Sequence, residues 1–333
     1  MKNAKAVVRL AKAWMFARFG KIRPVILAHI VTYKCNMRCR YCEYWRYRVE
    51  EMPWREIEKM LREAAELGIA VYTATGGEPL LWKHTSSTLT KARDLGFYTM
   101  LATNGLLLKG KKLDADMISV SLDTLKRDRY KSVTGVDALE RVKEAIIWAS
   151  ERYDVCLNAV LYGENVDEIE NLVRFADECG VYITFEPVSP YFEGCPSLSK
   201  GEMREAAGRI LELKKEFKNI LNTRCYLELV RSGGRFRCLS NLLVRVNPDG
   251  EVVSPCYELD YIRAGDVREG LKNVIKSENY MKGVEMAKSC SRSCYLLCYA
   301  EPSLIFSNLR CTLGFLKETL ERSVRSPRKR QQR

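Results

Sequence analysis

Residues 25–42 read Val25-Ile26-Leu27-Ala28-His29-Ile30-Val31-Thr32-Tyr33-Lys34-Cys35-Asn36-Met37-Arg38-Cys39-Arg40-Tyr41-Cys42. The run from Val25 to Val31 is apolar and β-branched, follows Gly20 and Pro24, and has the length of a buried strand. Three thiols come directly after it, within eight residues. Thiolates suit iron–sulfur clusters, and a cubane of four irons takes one ligand per iron. Three cysteines therefore leave one iron open to a substrate or cofactor. Spacing alone also allows a zinc site short of its fourth ligand, or three unconnected cysteines.

Downstream, strand and helix patterns alternate. Pro53 to Leu67 has helical periodicity and stops at Gly68; Ala70 to Ala74 is a strand ending in Thr75-Gly76-Gly77-Glu78-Pro79. A helix near His84 to Leu95 precedes the strand Phe97 to Ala102, which ends in Thr103-Asn104-Gly105. Met117 to Leu122 is a strand ending at Asp123, followed by a helix near Ala138 to Tyr153. Val155 to Leu161 and Val181 to Phe185 are strands flanking the helix Val166 to Cys179. This rhythm predicts a parallel sheet covered by helices. Six units fall short of an eight-stranded barrel, so the expected fold is α/β, a partial (β/α)6 TIM-like barrel. In such folds chemistry gathers at the C-terminal strand ends, where all these motifs fall.

The cysteine pattern, Cys-x3-Cys-x2-Cys with an aromatic before the last cysteine, resembles the signature of the radical S-adenosylmethionine (SAM) superfamily. The other strand ends resemble its remaining motifs in the same order, over roughly residues 25–190. The resemblance implies a [4Fe–4S] cluster on Cys35, Cys39 and Cys42. Gly76, Gly77, Glu78 and Pro79 resemble the turn that holds the SAM ammonium. Glycines there let backbone carbonyls approach, and a carboxylate accepts from the cation. Ser121 and Asp123 resemble groups that contact the ribose or carboxylate. Asn158 matches another polar cofactor position, Tyr41 an aromatic near the adenine, and Asn104 a further contact. Implied activity is reductive cleavage of SAM to a 5′-deoxyadenosyl radical that removes hydrogen from an unactivated carbon, with an electron donor such as ferredoxin or flavodoxin. Glu186, Tyr162 and Tyr191 lie near strand ends without belonging to a motif.

A second group of thiols, Cys238, Cys256, Cys290, Cys294, Cys298 and Cys311, lies beyond the charged helix Glu202 to Phe217. Val244 to Cys256 reads as a hairpin turning at Asn247-Pro248-Asp249-Gly250. Cys290, Cys294 and Cys298 recur every fourth residue and would share one face of a helix. With Ala264-Gly265-Asp266, this part resembles the auxiliary-cluster domains called SPASM or Twitch, although the cysteine spacing departs from theirs. The resemblance implies at least one auxiliary iron–sulfur cluster, with Cys225 as a seventh thiol and zinc as the alternative metal. Cys156, Cys179 and Cys195 read as core or loop cysteines. The expected organisation is a basic amphipathic helix (1–23), the SAM core (24–200), a linker helix (201–224), the auxiliary domain (225–315) and a basic tail (316–333).

Thirteen cysteines among 333 residues, with only two histidines, favour metal binding over a disulfide framework or a histidine-based zinc site. Seven of the 55 Lys and Arg lie in residues 1–23 and six in 322–333, leaving 42 against 42 acidic residues in the body. The excess charge of +13 thus sits on the two ends. No apolar run reaches membrane-spanning length and no secretory signal is present, so a cytoplasmic location is expected. The N-terminal helix, with Lys2, Lys5, Arg9 and Lys12 opposite Val7, Ala11 and Trp14, reads as an anchor for an anionic membrane surface, on its inner face. That makes a membrane lipid or lipid precursor the expected substrate. A SPASM-type peptide or protein maturase and a non-enzymatic iron–sulfur electron carrier are the alternatives. Nucleic acid is disfavoured, since no aromatic-rich binding sheet or zinc-finger spacing accompanies the basic ends.

Overall fold

A computed structural model describes residues 3–324 apart from 190–196, 255, 257–258, 260–261 and 293, so Tyr191 and Cys195 lie outside the described residues. Strands β1 (Ile26–Thr32), β2 (Val71–Gly76), β3 (Tyr98–Thr103), β4 (Met117–Ser121), β5 (Val155–Leu161) and β6 (Tyr182–Pro187) pair in that order. Each is parallel to the next. Helix α1 (Ala4–Arg18) precedes the sheet. Helices α2 (Trp54–Glu66), α3 (Thr85–Asp94), α4 (Arg127–Thr134), α5 (Leu139–Ser150) and α6 (Ile169–Glu178) lie between the strands, and α7 (Lys200–Glu216) follows them. The sheet is open, as six units require.

Helical faces follow the apolar spacing. In α2, Ile57, Met60, Leu61 and Ala64 are buried, and in α6 Ile169, Leu172, Val173 and Ala176, the i, i+3, i+4, i+7 pattern of one face. Within the strands, alternate residues join the core beneath these helices, among them Tyr72, Leu101, Ile118, Leu157 and Phe185. The intervening residues, including Thr73, Ser119, Asn158, Thr184 and Glu186, are only half-buried. One face of the sheet is therefore packed, and the other is polar and partly open. Residues 219–222 cover the β6 edge: Ile183 N–H donates to Asn219 carbonyl at 2.9 Å, and Leu221 N–H to Ile183 carbonyl at 2.8 Å.

The second half continues with α8 (Arg224–Ser232), β7 (Leu243–Val246), β8 (Glu251–Ser254), β9 (Ile262–Asp266), α9 (Leu271–Val274), α10 (Glu278–Lys288), α11 (Leu297–Ser307) and α12 (Leu309–Val324). The expected hairpin is present as β7 and β8, turning at residues 247–250. β7 also pairs with β1 in parallel, from Ile26 opposite Leu243 to His29 opposite Val246. A single nine-stranded sheet, β6-β5-β4-β3-β2-β1-β7-β8-β9, therefore runs through both halves.

Three expectations are corrected here. Cys290, Cys294 and Cys298 do not share a helix face: α10 ends at Lys288, and α11 begins one residue before Cys298. Ser289 marks the break, since it turns its hydroxyl back to the carbonyls of Glu285 and Met286 at the end of α10. The tail expected from residue 316 is helical as far as Val324, because Lys214 of α7 pairs with Glu318 of α12 at 3.0 Å in a nearly buried contact. Trp14, read as an interfacial anchor, turns inward. Its Nε1 donates to the Thr312 hydroxyl at 3.2 Å, and it packs with Val25, Leu242 and Phe306.

The β1 strand carries a buried histidine. His29 Nδ1 lies 3.0 Å from the Tyr72 hydroxyl, and burial lowers the ring's pKa to about 3. The native state thus resists protonation that the unfolded chain accepts below about 6.5, so stability falls as pH drops through that value. At pH 5 the expected loss is about 2 kcal/mol relative to pH 7. Unfolding of wild type and His29→Gln at both pH values checks this: the variant should lose that much less on acidification, and equal losses would refute it.

Candidate active site

The three-cysteine loop leaves β1 and is fixed from two sides. Arg38 N–H donates to the Thr134 carbonyl at 2.8 Å and Arg40 N–H to the Val133 carbonyl at 2.9 Å, so the C-terminal turn of α4 holds the loop's backbone. This helix was not read from the sequence, although Tyr130 and Val133 share its buried face and Gly135, at φ 75°, caps its end. On the other side, Gly77 N–H donates to the Thr32 carbonyl and Glu78 N–H to the Lys34 carbonyl, each at 2.8 Å. A Cβ at Gly77 would stand 2.3 Å from the Lys34 oxygen and 2.6 Å from that of Tyr33. One at Gly76 would stand 2.4 Å from the Thr32 oxygen. The glycine pair is therefore required for backbone to lie on backbone beside the thiols.

Burial pushes up the pKa values of Cys35 and Cys42, and that of Cys39 well above its ordinary value, with Asp123 adding repulsion. Such thiols are poor thiolates by themselves, and a positively charged metal centre is what would draw off their protons. Among the described residues no three His, Cys, Asp or Glu side chains converge as the ligands of a single ion. In a cubane each thiolate meets its own iron, so the donor set and the cradle fit an iron–sulfur cluster.

The carboxylates placed at strand ends hold the backbone and side chains of neighbouring elements. Glu78 is fully buried. Its Oε1 accepts from Leu80 N–H at 2.9 Å and the Thr103 hydroxyl at 2.8 Å, and its Oε2 from Asn104 N–H at 2.7 Å. It ties β2's turn to the end of β3, and Pro79 starts the short helical turn it caps. Asp123 is likewise buried, its pKa pushed up to about 6 by burial. It accepts from Val160 N–H at 2.9 Å and from the Tyr41 hydroxyl, so it joins the cysteine loop to β5. Each carboxylate accepts hydrogen bonds from neighbouring elements that converge on it inside the protein.

Other groups remain turned to the open side. Ser121 is exposed at the end of β4 and stands opposite Asn158, which stands opposite Thr184. Asn158 Nδ2 donates to Glu186 Oε1 at 3.1 Å, and Glu186 Oε2 accepts from Leu297 N–H at 3.2 Å. Glu186, which no motif marked, therefore connects the row of Ser121, Asn158 and Thr184 to the first turn of α11, which carries Cys298. Asn104 Nδ2 donates to Asn36 Oδ1 at 2.6 Å inside the cysteine loop. Tyr162, fully buried, has its ring 6.4 Å from that of Tyr41, and its hydroxyl has no hydrogen-bond partner among the described residues.

The second set of thiols is divided. Cys225 and Cys311 form a disulfide between α8 and α12, their Cα atoms 5.7 Å apart, so Cys311 is not available as the thiolate ligand expected of it. Cys256 lies in a small core with Leu243, Leu296 and Tyr299, against which Cys238 and Cys294 pack. Burial raises the Cys238 thiol to about 12, with Cys256 and Cys290 adding repulsion. Tyr44, on the cysteine loop, lies close enough to both Cys42 and Cys298 for each to raise its pKa, though burial dominates.

Residues 29–176 match the model of the radical SAM superfamily. A probable GTP 3′,8-cyclase of Pyrococcus abyssi is 39% identical over 169 residues, 48% of this chain and 55% of that protein. The chain thus spans about half the length of that relative. A probable GTP 3′,8-cyclase of Methanothermobacter marburgensis is 32% identical over 262 residues, covering 70% of this chain and 85% of the relative. Streptococcus suis SuiB bound to S-adenosylmethionine has a similar fold, with TM-score 0.64 and 18% identity over 78% of this chain and 67% of that one. With a three-thiol loop following the first strand of an open parallel sheet, and the Methanothermobacter relative matched over 85% of its length, this chain belongs to the radical SAM superfamily.

Proposed function

We propose that this enzyme removes hydrogen from an unactivated carbon of a membrane lipid or lipid precursor. The observation that supports this substrate class is the composition of the open sheet face. Strands β1 to β6 contain no Lys or Arg, and the charged side chain on that face is the Glu186 carboxylate. A phosphate-rich substrate laid on these strands would meet no cation from β1 to β6, the nearest in the sheet being Arg245 of β7, opposite Ala28 and beside the Tyr44 ring. The bound cluster and SAM would together supply hydrogen-abstracting chemistry that no side chain has. Cys35, Cys39 and Cys42 hold the cluster; Ser121 and Asn158 offer polar atoms to SAM. Glu78 and Asp123, satisfied within the protein, keep the strand ends in register around them. Cys238, Cys256, Cys290, Cys294 and Cys298 supply an auxiliary cluster, and a reducing protein such as ferredoxin or flavodoxin supplies electrons.

A second reading is supported by the relatives named GTP 3′,8-cyclases. Anaerobically reconstituted, reduced protein separates the two. With SAM and anionic lipid extract, 5′-deoxyadenosine should rise above the substrate-free background, and GTP should not raise it. Stimulation by GTP with a cyclised nucleotide product would overturn the lipid reading. In the same preparation iron should exceed about four atoms per chain, the content of one cubane. A triple Cys-to-Ala variant at 35, 39 and 42 should stay iron-loaded; zinc without iron there would remove the auxiliary cluster.

A further inference from the structure

Two helices present apolar residues to the outside at helical spacing. On α12, Leu309, Leu313, Leu316 and Leu320 are between 49% and 67% exposed and recur at intervals of four, three and four. That places all four within about 60° of one another around the axis, a single stripe. On α1, Val8 and Met15, with Phe19 at its C-cap, form a second stripe, Phe19 being 77% exposed. Trp14 and Thr312 hydrogen-bond at 3.2 Å, so the two helices are neighbours where Met15 and Leu313 follow these residues in sequence. Four leucines on one exposed face are far more than a helix needs for its own packing, which α12 achieves through its other side against α7 and α8.

Charge decides what covers this face. Exposed Lys5, Lys12, Lys21 and Arg23 accompany the α1 stripe, and residues 1–23 contain no acid. Arg310 and Lys317 flank the leucines of α12; of its two acids Glu318 is already paired with Lys214, and the exposed Glu321 offsets one of these cations. A second copy would bring the same cations against its own. Phosphate groups of nucleic acid would satisfy the cations and leave the leucines in water. We infer that the outer faces of α1 and α12 form a docking surface for an anionic lipid bilayer, the apolar stripes entering the acyl boundary and the basic residues meeting the headgroups. This deepens the lipid reading, on which it rests for its purpose, but it is tested separately.

The earlier expectation gave this role to α1 alone, with Trp14 in the interface. Trp14 is instead half-buried against a small core of Val25, Leu242 and Phe306, and Arg9 donates to the carbonyls of Ile69 and Leu95 at 3.1 and 3.0 Å. Deleting α1 would therefore damage the fold, and point substitutions at exposed positions are the suitable probe. Full-length reconstituted protein is sedimented with vesicles of phosphatidylglycerol and phosphatidylcholine, and with phosphatidylcholine alone. Binding should favour the anionic vesicles and weaken with salt, as the screening length falls from about 10 Å at 0.1 M to about 3 Å at 1 M. Leu313→Glu with Leu316→Glu should lower vesicle partitioning about tenfold or more, from the apolar area withdrawn. Met15→Glu with Phe19→Glu should lower it as well, and both pairs should keep wild-type SAM cleavage in detergent-free buffer. Equal partitioning of wild type and both pairs overturns the docking surface, as does a wild-type dimer in sedimentation velocity that the α12 pair makes monomeric without any vesicle binding. Loss of SAM cleavage in wild type would instead count against the catalytic reading and leave the vesicle result standing.

Discussion

Replacing Cys35, Cys39 or Cys42 singly by Ala is expected to abolish reductive cleavage of SAM, to the level of protein without iron. Each thiolate would anchor a different iron, so the loss of one opens a second iron to water and cannot be shared by its neighbours. The control is Cys179→Ala. That thiol lies at the end of α6, half-buried against the core, where a small side chain is tolerated. Formation of 5′-deoxyadenosine, measured after anaerobic reconstitution and dithionite reduction, should be absent in the three variants and unchanged in the control. Undiminished cleavage by any of the three would remove the cluster assignment.

The second large effect involves no ligand at all. Gly77→Ala would place its methyl 2.3 Å from the Lys34 carbonyl oxygen and 2.6 Å from that of Tyr33, both backbone atoms with nowhere to rotate. The turn and the cysteine loop must part by several tenths of an ångström to an ångström. A misplacement of that order at a reacting centre costs about a hundredfold in rate. Iron content should stay near that of wild type, because the thiols themselves are untouched. Gly314→Ala is the matched control, since nothing lies within 4 Å of a Cβ there and α12 is an ordinary helix. Cleavage rate per iron separates the outcomes: a Gly77→Ala enzyme within about twofold of wild type would show that the glycine is not needed for the fit, given the tolerance of positioned reactions.

These two predictions divide along the line between sequence and structure. The six strand segments, their parallel order and the three thiols after the first strand were readable from local pattern. A buried strand has to be apolar, a helix has to repeat its apolar residues at 3.6, and thiols close in sequence after a strand end have to be close in space. Gly76-Gly77 could be assigned to a strand end, and Asn158 to the fifth strand, for the same reason. What pairs with a carboxylate is not local. Glu78 takes hydrogens from β3, and Asp123 from β5 and the cysteine loop, partners 25 to 82 residues away, so their inward roles emerge only when the strands assemble.

The same holds for surfaces and for the second half of the chain. An amphipathic pattern shows that α1 has two faces but not which one meets the protein. Packing against Val25, Leu242 and Phe306 turned Trp14 inward and left Val8, Met15 and Phe19 outside. Cys225 and Cys311, separated by 86 positions, became a disulfide because α8 and α12 lie side by side. The four-residue strand β7 carries no signal of its partner, yet its pairing with β1 extends the barrel sheet to β9. Local sequence determined which elements form and where the cluster thiols stand, since both depend on neighbours in the chain. Tertiary structure decided which side chains remain available to a ligand, because that depends on every donor, acceptor and apolar surface that folding brings to them from elsewhere.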